Sequence, residues 1–351
     1  MNWHSEWEHQ VRIGARRVGN GSPCYIIAEA GANHNRDLAM AKALIDVAAD
    51  AGCDAVKFQT YSAQTLYSKY TPTFSYLGDQ NVYELIKSCE LPREWQFELM
   101  TYANERKLDF LSTPFDFSAV DDLVAIGVPA IKIASFELVD LELLRYAAAT
   151  GKPLILSTGM ASLGEVEEAL EVIRSEGNRQ LVLLHCNSLY PTPAKAVNLR
   201  TMHTLQNAFF CPVGFSDHTV GSVIATAAAA LGAAVIEKHF TLSRKLPGPD
   251  HGAFALEPEE LRQMVADIRA VEAAMGTGSK KRDAAEEEMA LKGRRSIIAA
   301  TDIIQGMVIT KDMLNVKRPG TGIPPKFLDL VVGRVAQQDI REDEPIGWHM
   351  I

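Results

Sequence analysis

The sequence predicts a (β/α)8 TIM barrel followed by a small β-rich C-terminal domain, and three observations predict it. Eight short apolar runs alternate with amphipathic helical stretches, every run ends in a polar residue, and the alternation stops at Gly276. The runs are Cys24–Ala30, Ala55–Tyr61, Asp109–Phe115, Ala130–Ser135, Leu154–Gly159, Leu181–Ser188, Val213–His218 and Ala234–Phe240. Most are apolar nearly throughout, as strands buried on both faces must be, and parallel neighbours require helical crossovers. Their polar ends are Glu29, Gln59, Thr113, Ser135, Ser157, Ser188, His218 and His239. A doubly wound open sheet would spread these ends along a line, whereas a barrel gathers them around one mouth. The gap from Gln59 to Thr113 is the longest and marks an insertion around Leu66–Arg93.

The helices between the runs have legible ends. Asp37 is placed to cap a helix carrying Leu44, Ile45 and Ala48 and closed by Gly52. Ser162-x-x-Glu165 is a capping-box pattern, followed by Val166, Leu170 and Ile173 on one face and Gly177 as a stop. Pro258 suits a first helical turn, after which Leu261, Val265, Ile268, Val271 and Met275 recur at helical spacing. The domains expected are therefore a barrel with an N-terminal extension over 1–276, a solvated linker over 277–293 and a β-rich domain over 294–351. Within the last, Asp302-Ile303 with Ile309 echoes Asp339-Ile340 with Ile346, a match short enough to arise by chance.

Composition narrows the function classes. Of 351 residues, 47% are hydrophobic and 23% charged, and 35 Lys and Arg against 44 Asp and Glu leave a net charge of −9. That balance suits a globular chain and disfavours nucleic acid or an anionic membrane as partner. Cys24, Cys53, Cys89, Cys186 and Cys211 form no C-x-x-C pair and read as reduced packing residues of a cytoplasmic protein. The first residues show no signal peptide, and the most apolar run, Ser222 to Ile236, ends at Glu237-Lys238-His239 without the length to span a bilayer.

The chemistry-bearing residues lie at the strand ends. His218 in G-F-S-D-H and His239 in V-I-E-K-H-F close consecutive strands. Neighbouring strands run about 4.8 Å apart, so two such imidazoles can share one divalent ion; each alone reads as a hydrogen-bonded core residue. Ser216 shares a face with His218, and Glu237 with His239. Lys57 and Gln59 lie on one face of the second run and Lys132 on the fourth, with Thr113, Ser135 and Ser157 adding hydroxyls. Two lysines in a buried mouth need counter-charge, which a phosphate- and carboxylate-bearing ligand supplies. Internal pairing with Glu29 and Glu137 is the alternative, and a Schiff base at one lysine is also open. Glu29 is a candidate acid–base residue or a structural partner of a lysine. Tyr190 and Asp250 lie in loops past the sixth and eighth runs, where they can hold sugar hydroxyls or serve loop structure.

Nine motifs together resemble the sialic acid synthases, the group of N-acetylneuraminate, legionaminate and pseudaminate synthases and related spore-coat polysaccharide proteins. They are I-I-A-E-A-G-A-N-H-N (26–35), V-K-F-Q-T (56–60), L-S-T-P-F (111–115), I-K-I-A-S-F-E (131–137), L-S-T-G-M (156–160), L-H-C-N-S-L-Y-P-T-P (184–193), G-F-S-D-H-T (214–219), I-E-K-H-F (236–240) and G-P-D-H (248–251). The tail, with V-K-R-P-G-T-G (316–322), looks like that family's antifreeze-like or SAF domain. The resemblance implies condensation of phosphoenolpyruvate with an N-acetylated hexosamine, N-acetylmannosamine or a 2,4-diacetamido relative, to a nine-carbon 2-keto acid and phosphate. It implies manganese or magnesium on His218 and His239, and phosphoenolpyruvate on Lys57, Thr113, Lys132, Ser135, Ser157 and Ser216. It also implies the sugar on Gln59, Glu137, Tyr190 and Asp250, and a domain-swapped homodimer whose Arg318 reaches the partner's barrel. Ser188 departs from the pattern, standing where some members place an asparagine near phosphoenolpyruvate. Other readings are a different phosphoenolpyruvate-condensing barrel, a Schiff-base aldolase, or a non-catalytic sugar-binding barrel.

Overall fold

A computed structural model of the chain describes residues 3–72 and 81–351. Residues 73–80, inside the predicted insertion, and Met1 and Asn2 lie outside the described residues. The chain divides into two compact units, Met1–Gly276 and Thr277–Ile351.

The first unit opens with a feature the sequence reading did not separate from the N-terminal extension: an antiparallel hairpin of β1 (Gln10–Ile13) and β2 (Arg16–Gly19). The eight predicted runs then appear in order. They are β3 (Tyr25–Gly31), β4 (Ala55–Thr60), β5 (Asp109–Pro114), β6 (Ile131–Ile133), β7 (Leu154–Ser157), β8 (Leu181–Cys186), β9 (Val213–Asp217) and β10 (Val235–His239). They form one 8-stranded sheet in the order β5-β4-β3-β10-β9-β8-β7-β6, every pair parallel. β5 also packs beside β6, so the sheet rolls into the predicted barrel.

Alternation along each strand sorts the side chains into two cores. Outward residues such as Ile26, Phe58, Phe110 and Leu156 pack against the surrounding helices. Inward residues Tyr25, Ile27, Ala55, Leu111, Ile155, Val182 and Val235 fill the narrow end, and Val11, Ile13 and Val18 of the hairpin complete that cluster. The hairpin therefore plugs the bottom of the barrel. Its Arg16 also bridges Asp54 and Asp109 at 3.0 and 3.1 Å.

The helix ends follow the sequence signals. Asp37 accepts from the Ala39 and Met40 N–H groups, Ser162 and Glu165 close a reciprocal capping box, and Pro258 begins the helix Pro258–Met275. On that helix Leu261, Met264, Val265 and Ile268 are buried, but Met275 at its end is 58% exposed, so the apolar stripe stops a turn earlier than the spacing predicts.

Residues 277–293, the expected linker, belong to the second unit, are almost wholly exposed and fold locally into a 3-10 turn, Ala284–Glu286, and a helix, Glu287–Gly293. β11 (Ser296–Ala299) pairs antiparallel with β12 (Leu314–Lys317) over a core including Ile297, Ile303, Ile309, Ile340 and Ile346. The sequence echo has a structural basis. Ile303 and Ile340 exchange both backbone hydrogen bonds at 2.8 Å. Asp302 Oδ1 accepts from the Glu342 N–H, and Asp339 Oδ1 accepts from the Gln305 N–H, each at 2.8 Å. Ile309 N donates to Arg334 O as Ile346 N donates to Ile297 O. These reciprocal contacts relate the two halves by a local pseudo-twofold axis.

Because Ile13 is fully buried in the barrel floor, Ile13→Ala should cost about 2–5 kcal/mol of stability in urea denaturation. A loss well under that range would show that the hairpin is not part of the cooperative core.

Candidate active site

The inward stripe of each strand changes character as it rises. On β3 it runs Tyr25, Ile27, Glu29; on β4, Ala55, Lys57, Gln59; on β10, Val235, Glu237, His239. Strand register then decides which polar side chains meet. Glu29 is paired across the sheet with Lys57 on one side and His239 on the other, Gln59 with Thr113, and Glu237 with Ser216.

A cavity of about 560 Å³ opens at this carboxyl end of the barrel. Glu29, Lys57, Gln59, Thr113, Lys132, Ser135, Ser157, Ser188, Tyr190, Ser216, His218, His239 and Asp250 all line it. Of the predicted residues in the first unit, Glu137 does not. Glu137 lies in the 3-10 turn Ser135–Val139 just beyond β6, with a buried Oε2 that has no hydrogen-bond partner. Arg318 lies in the second unit, exposed, directly after β12. A larger hollow of about 860 Å³ sits at the strand-start end, but no lysine or arginine lines it. Its one carboxylate, Glu272, is tied to the Cys24 N–H and to Arg269.

Four buried charges occupy the floor of the mouth. Lys57 Nζ lies 2.7 Å from Glu29 Oε2 and 3.8 Å from Glu237 Oε2, and donates to Thr113 Oγ1 at 3.1 Å. Lys132 Nζ donates to Ser157 Oγ at 2.7 Å and lies 3.9 Å from Glu237 Oε1. The internal pairing considered from the sequence thus holds for Lys57 with Glu29. The carboxylate closest to Lys132 is Glu237 rather than Glu137, because β10 directs Glu237 inward. Glu237 is the main residue the sequence reading passed over as a participant. The signal was present, since it shares a strand face with His239.

Their protonation follows from this wiring. Burial pushes the Glu29 carboxyl up to about 7, against the pull of Lys57. Burial also opposes charge on Glu237, but Lys132, Lys57 and the Ser216 hydroxyl hold it below the usual carboxylate range. At Lys57, Glu237 and Glu29 more than offset burial and raise the ammonium, whereas burial prevails at Lys132 and lowers it. Two carboxylates in one cavity are therefore driven apart, one a fixed anion and one able to exchange a proton near neutrality.

Hydroxyls and backbone surround this floor. Ser135 Oγ accepts from the Gly159 N–H at 2.9 Å, while the Ser188 hydroxyl is buried and has no partner. A Cβ at Gly159 would collide with both hydroxyls, so only glycine leaves them room. On the other side Asp250 Oδ2 accepts from the Ala32 N–H at 2.8 Å, and burial raises its carboxyl. Gly31, at φ +52, must lack a side chain because a Cβ would strike that carboxylate.

The imidazoles of His218 and His239 face each other with ring centroids 5.4 Å apart. The His218 Nδ1–H donates to the Asn187 carbonyl at 2.8 Å; burial opposes charge on this ring, but Cys186, 3.8 Å away, and the Asn187 carbonyl raise it above the ordinary imidazole range, so Nε2 offers a lone pair only once its proton is displaced. His239 Nδ1 is buried without a hydrogen-bond partner. Burial, with His218 and the nearby lysines, holds His239 well below the ordinary imidazole range, so it is neutral at pH 7. With its Nε2 proton displaced, His218 can share a divalent ion with His239, since each imidazole must be neutral to act as a ligand. Among the described residues no cluster of three or more His, Cys, Asp or Glu is placed to hold a metal. A bound ion would therefore complete its shell with ligand and water oxygens, as an open catalytic site requires. Tyr190 and Phe254 wall the pair, with Tyr190 4.3 Å from the His218 ring and Phe254 5.1 Å from the His239 ring. Neither Phe254 nor the Asn187 carbonyl carries a sequence signal.

The NeuB family model matches residues 44–280 and the SAF domain model residues 294–351. The N,N'-diacetyllegionaminic acid synthase of Legionella pneumophila is 41% identical over 347 residues, covering 96% of this chain and 97% of that one. The pseudaminic acid synthase of Helicobacter pylori is 36% identical over 330 residues, covering 93% and 97%. The structure of an N-acetylneuraminic acid (sialic acid) synthetase from Leptospira borgpetersenii, in complex with citrate, matches with a TM-score of 0.72 at 35% identity, covering 81% of this chain and 96% of that one. The chain therefore belongs to the NeuB family of synthases, with an SAF domain at its C-terminal end.

Proposed function

We propose that this protein condenses phosphoenolpyruvate with the open-chain form of an N-acetylated hexosamine, N-acetylmannosamine or a 2,4-diacetamido relative. The products are a nine-carbon 2-keto acid of the sialic acid type and inorganic phosphate. The observation that carries the reading is the convergence in one cavity of Lys57 and Lys132, a ring of hydroxyls and two facing imidazoles. Relatives named for legionaminic and pseudaminic acids support a product of that class.

In this reading Lys57 and Lys132, with Thr113, Ser135, Ser157, Ser188 and Ser216, hold the phosphate and carboxylate of phosphoenolpyruvate. Gln59, Glu137, Tyr190 and Asp250 hold the sugar, joined by Arg318 of the second subunit in a domain-swapped homodimer. Manganese or magnesium on His218 and His239 would supply Lewis acidity to the aldehyde oxygen of the sugar. C3 of phosphoenolpyruvate attacks the aldehyde carbon, forming the C–C bond and leaving positive charge at C2 that the neighbouring carboxylates tolerate. Water adds at C2 and gives a proton to Glu29. The C2–O bond to phosphate then breaks, Glu29 gives its proton to the departing phosphate, and the proton lost from the C2 hydroxyl as the ketone forms passes to the alkoxide left on the former aldehyde carbon, so the two protons of water end on phosphate and on the new hydroxyl. All five cysteines are free and buried, in keeping with a reducing, cytoplasmic setting.

Phosphate release should therefore require phosphoenolpyruvate, one of the amino sugars and manganese, stop with chelator and return with added metal. His218→Ala should abolish it. Oxygen-18 from water should enter the keto acid and not phosphate; label in phosphate, or borohydride trapping of a lysine adduct, would overturn the mechanism.

The carboxyl at about 7 adds a pH signature. Glu29 acts as base when deprotonated, so kcat/KM should rise as pH passes upward through about 7. Glu29→Gln should lower kcat by about 10²–10⁴-fold and flatten that limb. Arg318→Ala should raise KM for the sugar more than KM for phosphoenolpyruvate; equal effects would argue against its sugar role.

A further inference from the structure

On the reverse face of the two strands that carry the imidazoles lies a charge pair that takes no part in the proposed chemistry. Asp217 and Lys238 are directly paired across β9 and β10. Each is one residue out of step with the side chains lining the cavity, Ser216 and His218 on one strand, Glu237 and His239 on the other. Alternation therefore turns both toward the helix layer. Both side chains are completely shielded from solvent.

The pair ties together more than itself. Lys238 Nζ lies 2.9 Å from Asp217 Oδ2 and also donates to the Thr219 carbonyl. Asp217 Oδ1 accepts from the Thr219 N–H at 2.8 Å. The end of β10 is thereby laced to residues 217–219, the turn that presents His218. Hydrophobic packing alone does not call for this arrangement, because a buried ion pair is often no more stable than hydrocarbon of the same volume. Outward positions on other strands are hydrocarbon, such as Phe58, Ile133 and Leu156, or neutral polar groups bonded in the helix layer, such as Thr60, Ser112 and His185.

What the pair adds is placement of two rings that otherwise have uneven support. His218 is steadied by the Asn187 carbonyl on Nδ1 and by the Thr192 N–H on its own carbonyl. The His239 carbonyl is likewise held, by the Leu256 N–H at 2.9 Å, but its Nδ1 has no such partner, so its ring depends on the backbone at the end of β10 and on packing against Phe254. Fixing Lys238 fixes that backbone, and the same ammonium holds the turn bearing the opposite ring.

We infer that the buried Asp217–Lys238 pair is a positioning device that sets the spacing of the His218 and His239 imidazoles for one divalent ion. This inference rests on the proposal that the two imidazoles hold such an ion.

The test measures Mn²⁺ binding to the chelator-stripped, full-length protein without substrates, by electron paramagnetic resonance of free Mn²⁺, alongside thermal unfolding of the metal-free forms. The variants are Asp217→Asn, Lys238→Met, the double hydrocarbon replacement Asp217→Leu with Lys238→Met, and His218→Ala as reference. The double variant leaves no unpaired buried charge and should keep the fold where Lys238→Met alone does not. It should nevertheless bind Mn²⁺ about 10–100-fold more weakly than the wild type, the loss expected when support behind a ligand is removed. Asp217→Asn, nearly isosteric, should lie between the two. A double variant that unfolds at the wild-type temperature and binds Mn²⁺ as tightly as wild type would reduce the pair to a packing element and overturn the inference. Wild type and His218→Ala binding Mn²⁺ equally would instead remove the metal site itself, and the inference with it.

Discussion

Two ammonium groups and two carboxylates buried within one barrel mouth must neutralise one another, and the rest of the site is arranged around that requirement. A single uncompensated charge at such depth costs far more than the few kcal/mol that separate folded from unfolded protein. The parallel register meets the requirement directly by setting Glu29 opposite Lys57. Glu237 then answers both lysines from across the barrel. Because the two carboxylates share one field, their environments separate them. Glu237 stays ionised as the counter-charge, and Glu29, raised to about 7, becomes the proton carrier. The proposed role of each thus follows from the neutrality of the set rather than from either residue alone.

That charge set exists only because the barrel is dry and closed below it. The inward stripes are hydrocarbon at the narrow end, and Val11, Ile13 and Val18 of the N-terminal hairpin seal that end. Water is excluded beneath the site, and the lysine–carboxylate contacts operate at a low effective dielectric. Above them the hydroxyls of Ser135 and Ser188 crowd against Gly159, and Asp250 crowds against Gly31, two places where the absence of a side chain makes the cavity possible.

The barrel was legible in the sequence because strands buried on both faces leave long apolar runs, and because caps such as Asp37 and the Ser162–Glu165 box act locally. The plugging hairpin was not. Its strands, QVRI and RRVG, are four residues each and mix arginine with valine, and only tertiary contact reveals that Val11, Ile13 and Val18 are fully buried. At the site, residues at strand ends could be read from position alone. The partner of Lys132 could not, since choosing Glu237 over Glu137 depends on which side chain the barrel turns inward. The Asn187 contact to His218 is made by a backbone carbonyl, which any residue type supplies. The pseudo-twofold in the second unit is faint in sequence for the same reason: most of its matching hydrogen bonds are main-chain bonds, with only the paired aspartates and isoleucines left to mark it.

β9 and β10 show how much one register can encode. Their inward residues are Ser216, Glu237 and His239, and their outward residues include Asp217 and Lys238. A slip of one residue on both strands would exchange the two sets, because the side-chain period of a strand is two. The imidazoles would then face the hydrocarbon of the helix layer, and Asp217 and Lys238 would enter the mouth. A slip of β10 alone would turn Lys238 inward while Asp217 stays outward, breaking the contacts from Lys238 to Asp217 and Thr219 and stranding two charges without the geometry that now satisfies them. A hydrocarbon pair at those positions would penalise such a slip far less. A buried ion pair that adds little to stability can therefore still specify which face of the strands carries the chemistry, and that specificity is a physical reason for charge where packing alone would call for leucine.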